Sequence, residues 1–251
     1  MTWSMSAREP ARRATPDPQR GAGLRDEPPD EVDPLDAELA LVRSLVDLAG
    51  LPALSREVTE HIICATADLA YVTDLICYEP ALEAAVAALA AGAPLIADVP
   101  MVAAGITAVP VICKATDPLT IRLARSAGIT GSAAAVRLAL GAAGPGAIWV
   151  IGGESAALYE ILARGAEPTL VIGLPAGLSA AADAKAALRA SGLPSLTNMS
   201  AKGGPGPAVA ACSALLRLAA AALPARSAMA PPPAAARATA AAQATVPARR
   251  A

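Results

Sequence analysis

The 251-residue sequence contains no phenylalanine, and aromatic residues make up only 2% of it although hydrophobic residues make up 55%. Leu, Val, Ile and Ala must therefore build the core. No basic run is interleaved with aromatic residues, and the formal net charge is −2 at pH 7, so the electrostatic pattern of a nucleic-acid-binding protein is missing. We expect a protein that does not bind nucleic acid.

Metal-ligating residues are also scarce. The sequence has one histidine and four cysteines, at positions 64, 77, 113 and 212. The cysteines form no C-x-x-C pair, and no histidine lies at ligand spacing from them, so we predict no metal site. We interpret the cysteines as buried thiols in a reducing cytosol.

Long apolar runs are missing as well. The N-terminus lacks the apolar region of a signal peptide, and no stretch of about 20 apolar residues is uninterrupted. The most apolar stretches, Ala84–Ala97 and Ala208–Leu223, are broken by Gly92 and Pro94, or by Arg217. We expect no membrane span and a cytoplasmic location.

Composition divides the chain into three parts. Residues 1–33 are rich in Pro, Arg, Asp and Glu, and residues 225–251 are an Ala/Pro/Arg low-complexity segment, so both are predicted to be disordered tails. Residues 34–224 have the length of a single domain.

Within residues 34–224, short apolar runs alternate with helical patterns, which favours βαβ units around a parallel sheet. The predicted strands are Leu95–Asp98, Val109–Cys113, Ala147–Gly152, Leu170–Gly173 and Ser195–Thr197. The predicted helices are Leu35–Ala49, Arg56–Thr66 with Ser55 as N-cap, Ala81–Ala91, Val102–Thr107, Ile121–Ala127 or Ser132–Leu140, Glu154–Arg164, Ala180–Ser191 and Pro207–Leu223. We predict an α/β fold of three layers, with a mostly parallel sheet of about five strands and helices on both faces.

The turns after three of these strands are candidate binding loops, because ligands bind beyond the carboxyl ends of strands in open α/β sheets. They are Gly152-Gly153-Glu154-Ser155, Gly173-Leu174-Pro175-Ala176-Gly177 and Asn198-Met199-Ser200-Ala201-Lys202-Gly203-Gly204. Glycines let a ligand approach main-chain amides, and helix N-termini favour anions. Each turn taken alone is also consistent with a tight turn, and none has the pattern of a dinucleotide or P-loop nucleotide site.

The segment Glu60–Asp68 holds the only histidine, His61, and one cysteine, Cys64. These side chains have reference pKa values of about 6.5 and 8.5, and they lie three residues apart, on one face of a predicted helix. This segment is the first place to look for proton transfer. Together with the strand-end turns, it is expected to enclose a pocket.

Several segments, taken in order from about Val58 to Leu218, resemble the precorrin-8X methylmutases, which are isomerases of cobalamin biosynthesis. The segments that carry the resemblance are Ile62–Asp68, Ala90–Asp98, Met101–Thr107, Gly128–Ala135, Val150–Gly152 with Ala156–Leu158, Val171–Gly177, Lys185–Pro194 and Lys202–Gly204. Each segment is weak evidence alone, and their order and spacing carry the assignment.

The resemblance implies an activity and a substrate. Members of the family move a methyl group between neighbouring ring carbons of a corrin precursor, giving hydrogenobyrinic acid or its cobalt form, and need no organic cofactor. A histidine of the family protonates the macrocycle. The family is dimeric, with the pocket near the subunit interface. For this chain the resemblance therefore implies a corrinoid substrate, a homodimer and no cofactor.

The sequence departs from the family at the residues that carry this chemistry. Aligned on Ala65–Asp68, the catalytic histidine falls on Cys64 and a family arginine falls on His61. Other family arginines fall on Pro100, Gly131 and Met199. The arginine losses remove bidentate partners for carboxylates, and a thiol is a weak proton donor near pH 7. Cys64 is the candidate catalytic residue, and His61 is a candidate substitute for it.

The resemblance also carries over a set of substrate-binding candidates, which are Asp98, Met101, Gly105, Thr130, Ser132, Gly152, Gly153, Pro175, Gly177, Lys185, Lys202, Gly203 and Gly204. Structural roles remain open for several of them. Asp98 is predicted to cap the helix that follows it, Thr130 and Ser132 are typical capping residues, and Lys185 fits a surface charge. Cys64 fits a buried helix thiol and His61 a solvated helix residue, whereas Lys202 beside Gly203 and Gly204 is the best remaining anion site.

Three hypotheses remain at this point. The chain is an active methylmutase, or a catalytically impaired paralogue that binds a tetrapyrrole polyacid without turnover, or a degraded copy that folds without a ligand.

Overall fold

The computed structural model describes residues 33–229, with side chains described through residue 222. Residues 1–32 and 230–251, most of the two predicted tails, lie outside the described residues. The described part consists of α1 (Pro34–Leu45), α2 (Ala53–Thr66), α3 (Tyr71–Asp74), β1 (Leu75–Cys77), α4 (Glu79–Ala90), β2 (Leu95–Ala97), α5 (Pro100–Gly105), β3 (Val111–Cys113), α6 (Pro118–Ala127), α7 (Gly131–Ala143), β4 (Ile148–Ile151), α8 (Ser155–Ala163), β5 (Leu170–Gly173), α9 (Ala181–Ala190), β6 (Ser195–Asn198) and α10 (Pro205–Met229).

The strands form one six-stranded sheet with the order β1-β6-β5-β4-β2-β3. All neighbouring strands are parallel except β1, which pairs antiparallel with β6. Apolar residues cover both faces. One cluster joins α2, α4 and α10 to the sheet, and the other joins α7, α8 and α9 to it. The predicted three-layer, mostly parallel α/β fold is confirmed.

The five predicted strands are all present, and the sixth, β1, was not predicted. It has only three residues and no turn residue sets it off from α3, so its sequence lacks a strand signal. The alternative helices proposed for residues 121–140 are both present, because Asp117 caps α6 and Gly128 ends it in a left-handed conformation before Thr130 caps α7.

The predicted N-cap of α2 is wrong. The helix begins at Ala53 rather than Arg56, so Ser55 lies inside it. The carboxylate of Glu79, on α4, accepts bonds from the N–H groups of Leu54 and Ser55 and from the Ser55 hydroxyl, at 2.7, 3.0 and 2.5 Å. A distant side chain therefore satisfies the first turn of α2, and the local sequence does not show it.

Helix α10 is the longest element and runs five residues past the predicted end of the domain. Its segment Pro205–Ala222 is long and apolar enough to pass a composition test for a membrane span, a test that core helices of soluble proteins also pass. Here the buried residues of α10, including Ala208, Ala211 and Leu215, belong to the cluster shared with α2, α4 and the sheet. The packing is that of a core helix.

Candidate functional site

The loop after β4 is fixed by a buried carboxylate. Asp98, fully buried at the end of β2, accepts hydrogen bonds from the N–H groups of Gly152 and Gly153 at 3.1 and 2.8 Å. Burial raises the pKa of Asp98, and the hydrogen bonds from the neighbouring main chain act against that rise. The predicted cap on α5 is wrong, because Val99 occupies that position and no side chain caps the helix. Asp98 instead ties the end of β2 to the end of β4.

The loops after β5 and β6 hold each other. Gly204 N–H donates to Leu174 O at 2.7 Å, and Gly177 N–H donates to Ala201 O at 3.1 Å. Gly203 has φ +148°, and a Cβ there would lie against the carbonyl oxygens of Leu174 and Pro175. This close approach requires glycine, so the role of Gly203 in the isolated chain is to let the two loops pack together.

Asp74, at the end of α3, organises the β6–α10 loop (residues 199–204). Its carboxylate accepts bonds from Asn198 Nδ2 at 2.8 Å, from the N–H groups of Met199 and Ser200 at 3.1 and 2.8 Å, and from Ser200 Oγ at 2.6 Å. Burial acts to raise the pKa of Asp74, but the bonds from Ser200 and Asn198 outweigh it and the pKa is lowered. The carboxylate is therefore held in its ionised form.

Lys185 approaches the same loop from α9. It is fully buried, and Nζ donates to Asn198 Oδ1 at 2.7 Å, to Ser200 O at 2.6 Å and to Lys202 O at 2.8 Å. Burial lowers the pKa of Lys185 to about 8, against the opposing influence of Asp74. The interpretation of Lys185 as a surface charge is therefore wrong.

Lys202 links this loop to the end of α2. Nζ lies 2.8 Å from Asp68 Oδ2 and 4.9 Å from the centre of the Tyr71 ring, in cation–π geometry. The bond from Lys202 lowers the pKa of Asp68, and burial, with the nearby carboxylates, raises the pKa of Tyr71 to about 12. The Lys202 ammonium, the predicted anion site, already has a carboxylate partner.

Cys64 lies in a groove of about 320 Å³ between α1 and α2, which we call the α1–α2 groove. Its other lining residues are Glu38, Leu41, Val42, Leu45, Ile63, Ala67 and Leu69. Burial, reinforced by Glu38 and Glu60, raises the pKa of the Cys64 thiol. The thiol therefore carries its proton at neutral pH, and aliphatic side chains surround it.

His61, one turn before Cys64, is buried rather than solvated as predicted. Nδ1 lies 2.9 Å from the main-chain oxygen of Glu57, and Nε2 is buried without a hydrogen-bond partner among the described residues. A hydrogen on Nδ1 satisfies the bond to Glu57, which leaves a bare lone pair on Nε2. His61 does not line the α1–α2 groove.

Four other predicted residues lie at the starts or ends of helices. Thr130 caps α7 by accepting from Ala133 N–H at 3.2 Å, and Ser132 is buried with no partner for Oγ in the described part of the chain. Met101 on α5 is 70% exposed, whereas Gly105 packs so closely on Val209 of α10 that a Cβ would meet its side chain.

In the described part of the chain, the glycine turns expected to line a pocket with α2 are packed against neighbouring residues, and the larger cavities lie elsewhere. Gly152 packs against Ala208 and Val102, and Pro175 is buried. Cavities of about 430, 480 and 460 Å³ lie at α4 and α10, beside β1, and at the α1–α2 connection, away from these turns. The structure thus joins Lys185, Lys202, Gly203, Gly204 and Gly177 in one region and places Cys64 in a separate groove.

Two members of the loop network were missed by sequence reasoning. Asp74 lies outside every segment that carries the resemblance, and Arg189 lies in one of them but was not singled out as a site residue. Arg189 Nη1 donates to Thr197 Oγ1 and Asn198 O, both at 3.0 Å. In the described part of the chain no cluster of three His, Cys, Asp or Glu side chains is placed to hold a metal ion.

Comparison with known proteins gives one consistent result. The family model described as precorrin-8X methylmutase matches residues 36–218. The cobalt-precorrin-8 methylmutase of Methanocaldococcus jannaschii is 32% identical over 166 residues, which are 64% of this chain and 79% of that protein. The precorrin-8X methylmutase of Pseudomonas aeruginosa is 36% identical over 191 residues, covering 70% and 90% of the two chains. The crystal structure of precorrin-8X methylmutase from Thermus thermophilus superposes with a TM-score of 0.69 at 30% identity, covering 75% of this chain and 96% of that one.

Proposed function

This chain belongs to the precorrin-8X methylmutase family, and from that membership we propose that it is a precorrin-8X methylmutase of cobalamin biosynthesis. The enzyme moves a methyl group between neighbouring ring carbons of a corrin precursor and forms hydrogenobyrinic acid or its cobalt form. The observation that carries this proposal is the match of the family model to residues 36–218, which spans the folded part of the chain from α1 into α10.

Cys64 is the proton donor in this proposal. Its position corresponds to the family histidine, and its raised pKa keeps the thiol protonated at neutral pH. A protonated group within reach of the macrocycle supports general acid catalysis, but a high pKa makes the donor weak. We therefore expect slow turnover.

His61 is less suited to this role. Its Nε2 is buried, and its Nδ1 is engaged with the Glu57 carbonyl. His61 does not line the α1–α2 groove, so neither nitrogen is exposed to it. A macrocycle bound in the α1–α2 groove would contact the Cys64 thiol rather than the His61 ring.

The carboxylates of the substrate need donors that the lost arginines no longer supply. Within the described residues, the N–H groups of Ala201 and Gly203 have no hydrogen-bond partner, and both lie on the loop held by Asp74 and Lys185. We propose these main-chain donors for substrate carboxylates. Exposed apolar side chains at the same edge, Met101, Leu178 and Met199, fit the flat faces of a macrocycle or a partner subunit.

We further propose a soluble, cytoplasmic homodimer. Two residues that line the α1–α2 groove, Leu41 and Leu45, are each 59% exposed in one chain. A second copy of the chain would convert such a groove into an enclosed pocket. Light scattering of the purified full chain tests this assembly, and a mass of one chain would contradict it.

The direct test of function is single-turnover conversion of precorrin-8X by an excess of the purified full chain. The absorbance spectrum is expected to change to that of hydrogenobyrinate, with Cys64→Ala as the matched variant and Cys113→Ala as the control thiol. No spectral change with the unmodified chain would sink the proposal. Tight binding of hydrogenobyrinic acid without conversion would point to a chain that only binds.

A further inference from the structure

Lys185 occupies a position that neither the methylmutase reaction nor a surface role explains. It is fully buried on α9, although Lys is among the residues least often buried without a charged partner. Its ammonium has three donors, and all three are directed at the end of β6 and the β6–α10 loop, to Asn198 Oδ1, Ser200 O and Lys202 O. None of the three acceptors is a carboxylate.

A second charge holds the loop from the opposite side. Asp74 accepts four bonds from Asn198, Met199 and Ser200. The Asn198 amide joins the two charges, since Oδ1 accepts from Lys185 and Nδ2 donates to Asp74. Both ends of this amide are fixed, so it has one orientation.

The loop held in this way bonds to two other regions that the family resemblance singles out, Val171–Gly177 and Ile62–Asp68. Gly204 and Ala201 bond to the β5–α9 loop at Leu174 and Gly177, and Lys202 bonds to Asp68, four residues after Cys64. A shift of the loop would therefore move the donor N–H groups of Ala201 and Gly203 and the end of α2 together.

We propose that Lys185 is a positioning residue of the methylmutase site, which holds the β6–α10 loop in the conformation that receives substrate carboxylates. Lys185 does not touch the substrate. It acts through Asn198, Ser200 and Lys202, and its removal takes one donor from each of three oxygen acceptors, of which Lys202 O keeps the bond from Asn198 Nδ2. The expected effect of Lys185 on KM rests on the proposed function. The claim that Lys185 orders the β6–α10 loop rests only on the geometry of the loop.

The charges around Lys185 come from three elements. Asp74 lies on the α3 side, Arg189 lies one turn further along α9, and Lys202 with its partner Asp68 lies at the loop and the end of α2. Arg189 and Lys202 are cations like Lys185, and two carboxylates bond to the loop, Asp74 at Met199 and Ser200 and Asp68 at the Lys202 side chain. A neutral residue at 185 leaves the network with a different charge balance as well as fewer donors.

The test compares Lys185→Met with Glu160→Gln. Glu160 is a buried carboxylate of α8 paired with Arg137 on α7 and with Arg164, the residue after α8, on a different part of the fold, so its substitution lowers stability without touching the loop. Hydrogen exchange of the full chain measures loop order, and steady-state conversion of precorrin-8X measures KM and kcat. Lys185→Gln, which replaces the ammonium by a neutral amide with two N–H donors, tests partial rescue.

In Lys185→Met, exchange of the hydrogen-bonded loop amides, those of Met199, Ser200, Lys202 and Gly204, is expected to rise at least ~10-fold while the amides of β4 and β5 keep their rates. KM is expected to rise by a similar factor, with kcat within about threefold, and Lys185→Gln is expected to lie between. Glu160→Gln is expected to leave loop exchange and KM unchanged. Equal changes in both variants, or a loss of thermal stability with unchanged loop exchange and KM, would show a purely structural lysine.

Failure of the proposed function and failure of the proposed role of Lys185 give different results. An unmodified chain that does not convert substrate overturns the proposed function, whereas the exchange experiment needs no substrate and decides the role of Lys185 in the loop. If Lys185→Met does not fold, Lys185→Gln is measured in the same way. If Lys185→Gln also fails to fold while Glu160→Gln folds, Lys185 is needed for the whole fold and the positioning role is rejected.

Discussion

The β6–α10 loop and the α1–α2 groove, which the proposal assigns to substrate binding and proton donation, differ in how their buried polar groups are satisfied. In the loop, the side chains of Asp74, Asn198 and Lys185 have partners at each buried polar atom. In the α2 segment beside the groove, His61 Nε2 is buried without a partner and the Cys64 thiol faces aliphatic side chains. The contrast teaches that the proposed carboxylate-binding loop is held by a satisfied polar network, whereas the α2 segment with the proposed proton donor has a buried polar atom without a partner.

The largest change should follow from restoring an imidazole in the α1–α2 groove. We expect Cys64→His to raise kcat by about 10²–10⁴-fold, the usual contribution of a general acid whose pKa lies near the working pH. Single-turnover conversion of precorrin-8X measures the gain. An unchanged rate would mean that the thiol is not the group that donates the proton.

In the β6–α10 loop, Gly203→Ala is expected to lower the free energy of unfolding by about 3 kcal/mol or more, because φ is +148° and the new Cβ meets two carbonyl oxygens. Urea denaturation measures the loss. Gly206→Ala is the matched control, since nothing lies within 4 Å of a Cβ at that position. A loss of similar size in both variants would contradict the packing role of Gly203.

Asp74→Asn tests the charge at the centre of the loop. The substituted amide has only one oxygen to accept the bonds now shared by two, so at least one buried donor is left unsatisfied, at a cost of about 1–3 kcal/mol. Urea denaturation again gives the loss, with exposed Asp183→Asn as the control. An Asp74→Asn protein as stable as the unmodified chain would remove Asp74 from the centre of the network.

The lowered pKa of Asp74 predicts how the free energy of unfolding depends on pH. The pKa of Asp74 is lower in the folded chain than in the unfolded chain, so the folded state binds fewer protons there. The contribution of Asp74 to stability is fully present above its unfolded-state pKa of about 3.9 and is lost as pH falls through its folded-state pKa. Between pH 7 and pH 3, the unmodified chain should lose more stability than Asp74→Asn. Parallel loss in both would show that Asp74 is not held ionised.

The smallest effect is expected at His61. Replacing the imidazole by an aliphatic side chain, His61→Leu, removes a buried nitrogen that has no partner, so the free energy of unfolding should stay constant or rise by about 1 kcal/mol. Thermal denaturation detects the change. A loss above about 2 kcal/mol would show that Nε2 has a partner in solution.

The sequence predicted the parallel strands well, because each is a short apolar run with a helical pattern after it, as in Ile148–Ile151 and Leu170–Gly173. It did not predict β1, or the bonds from Glu79 to the start of α2, because both depend on residues that are distant in the chain. The family resemblance correctly indicated the methylmutase family.

The candidate site was harder to predict than the fold. Sequence patterns found Lys185, Lys202 and the glycine turns, but they could not show that Lys185 is buried or that Lys202 is paired, since partners such as Asp68 lie more than 130 residues away. Glycines after strands suggested open anion sites, whereas Gly153 and Gly203 are required by close packing. Hydrogen-bond partners that are far apart in sequence leave no local signal.

The most direct test of the account is the pH dependence of the single-turnover rate in the unmodified chain and in Cys64→His. A thiol donor with a raised pKa stays protonated, so the rate of the unmodified chain should hold through pH 8 and fall only above the ordinary thiol value of about 8.5. The rate of Cys64→His should fall above about pH 6.5. Two profiles that fall at the same pH, or an unmodified chain without any conversion, would contradict Cys64 as the proton donor.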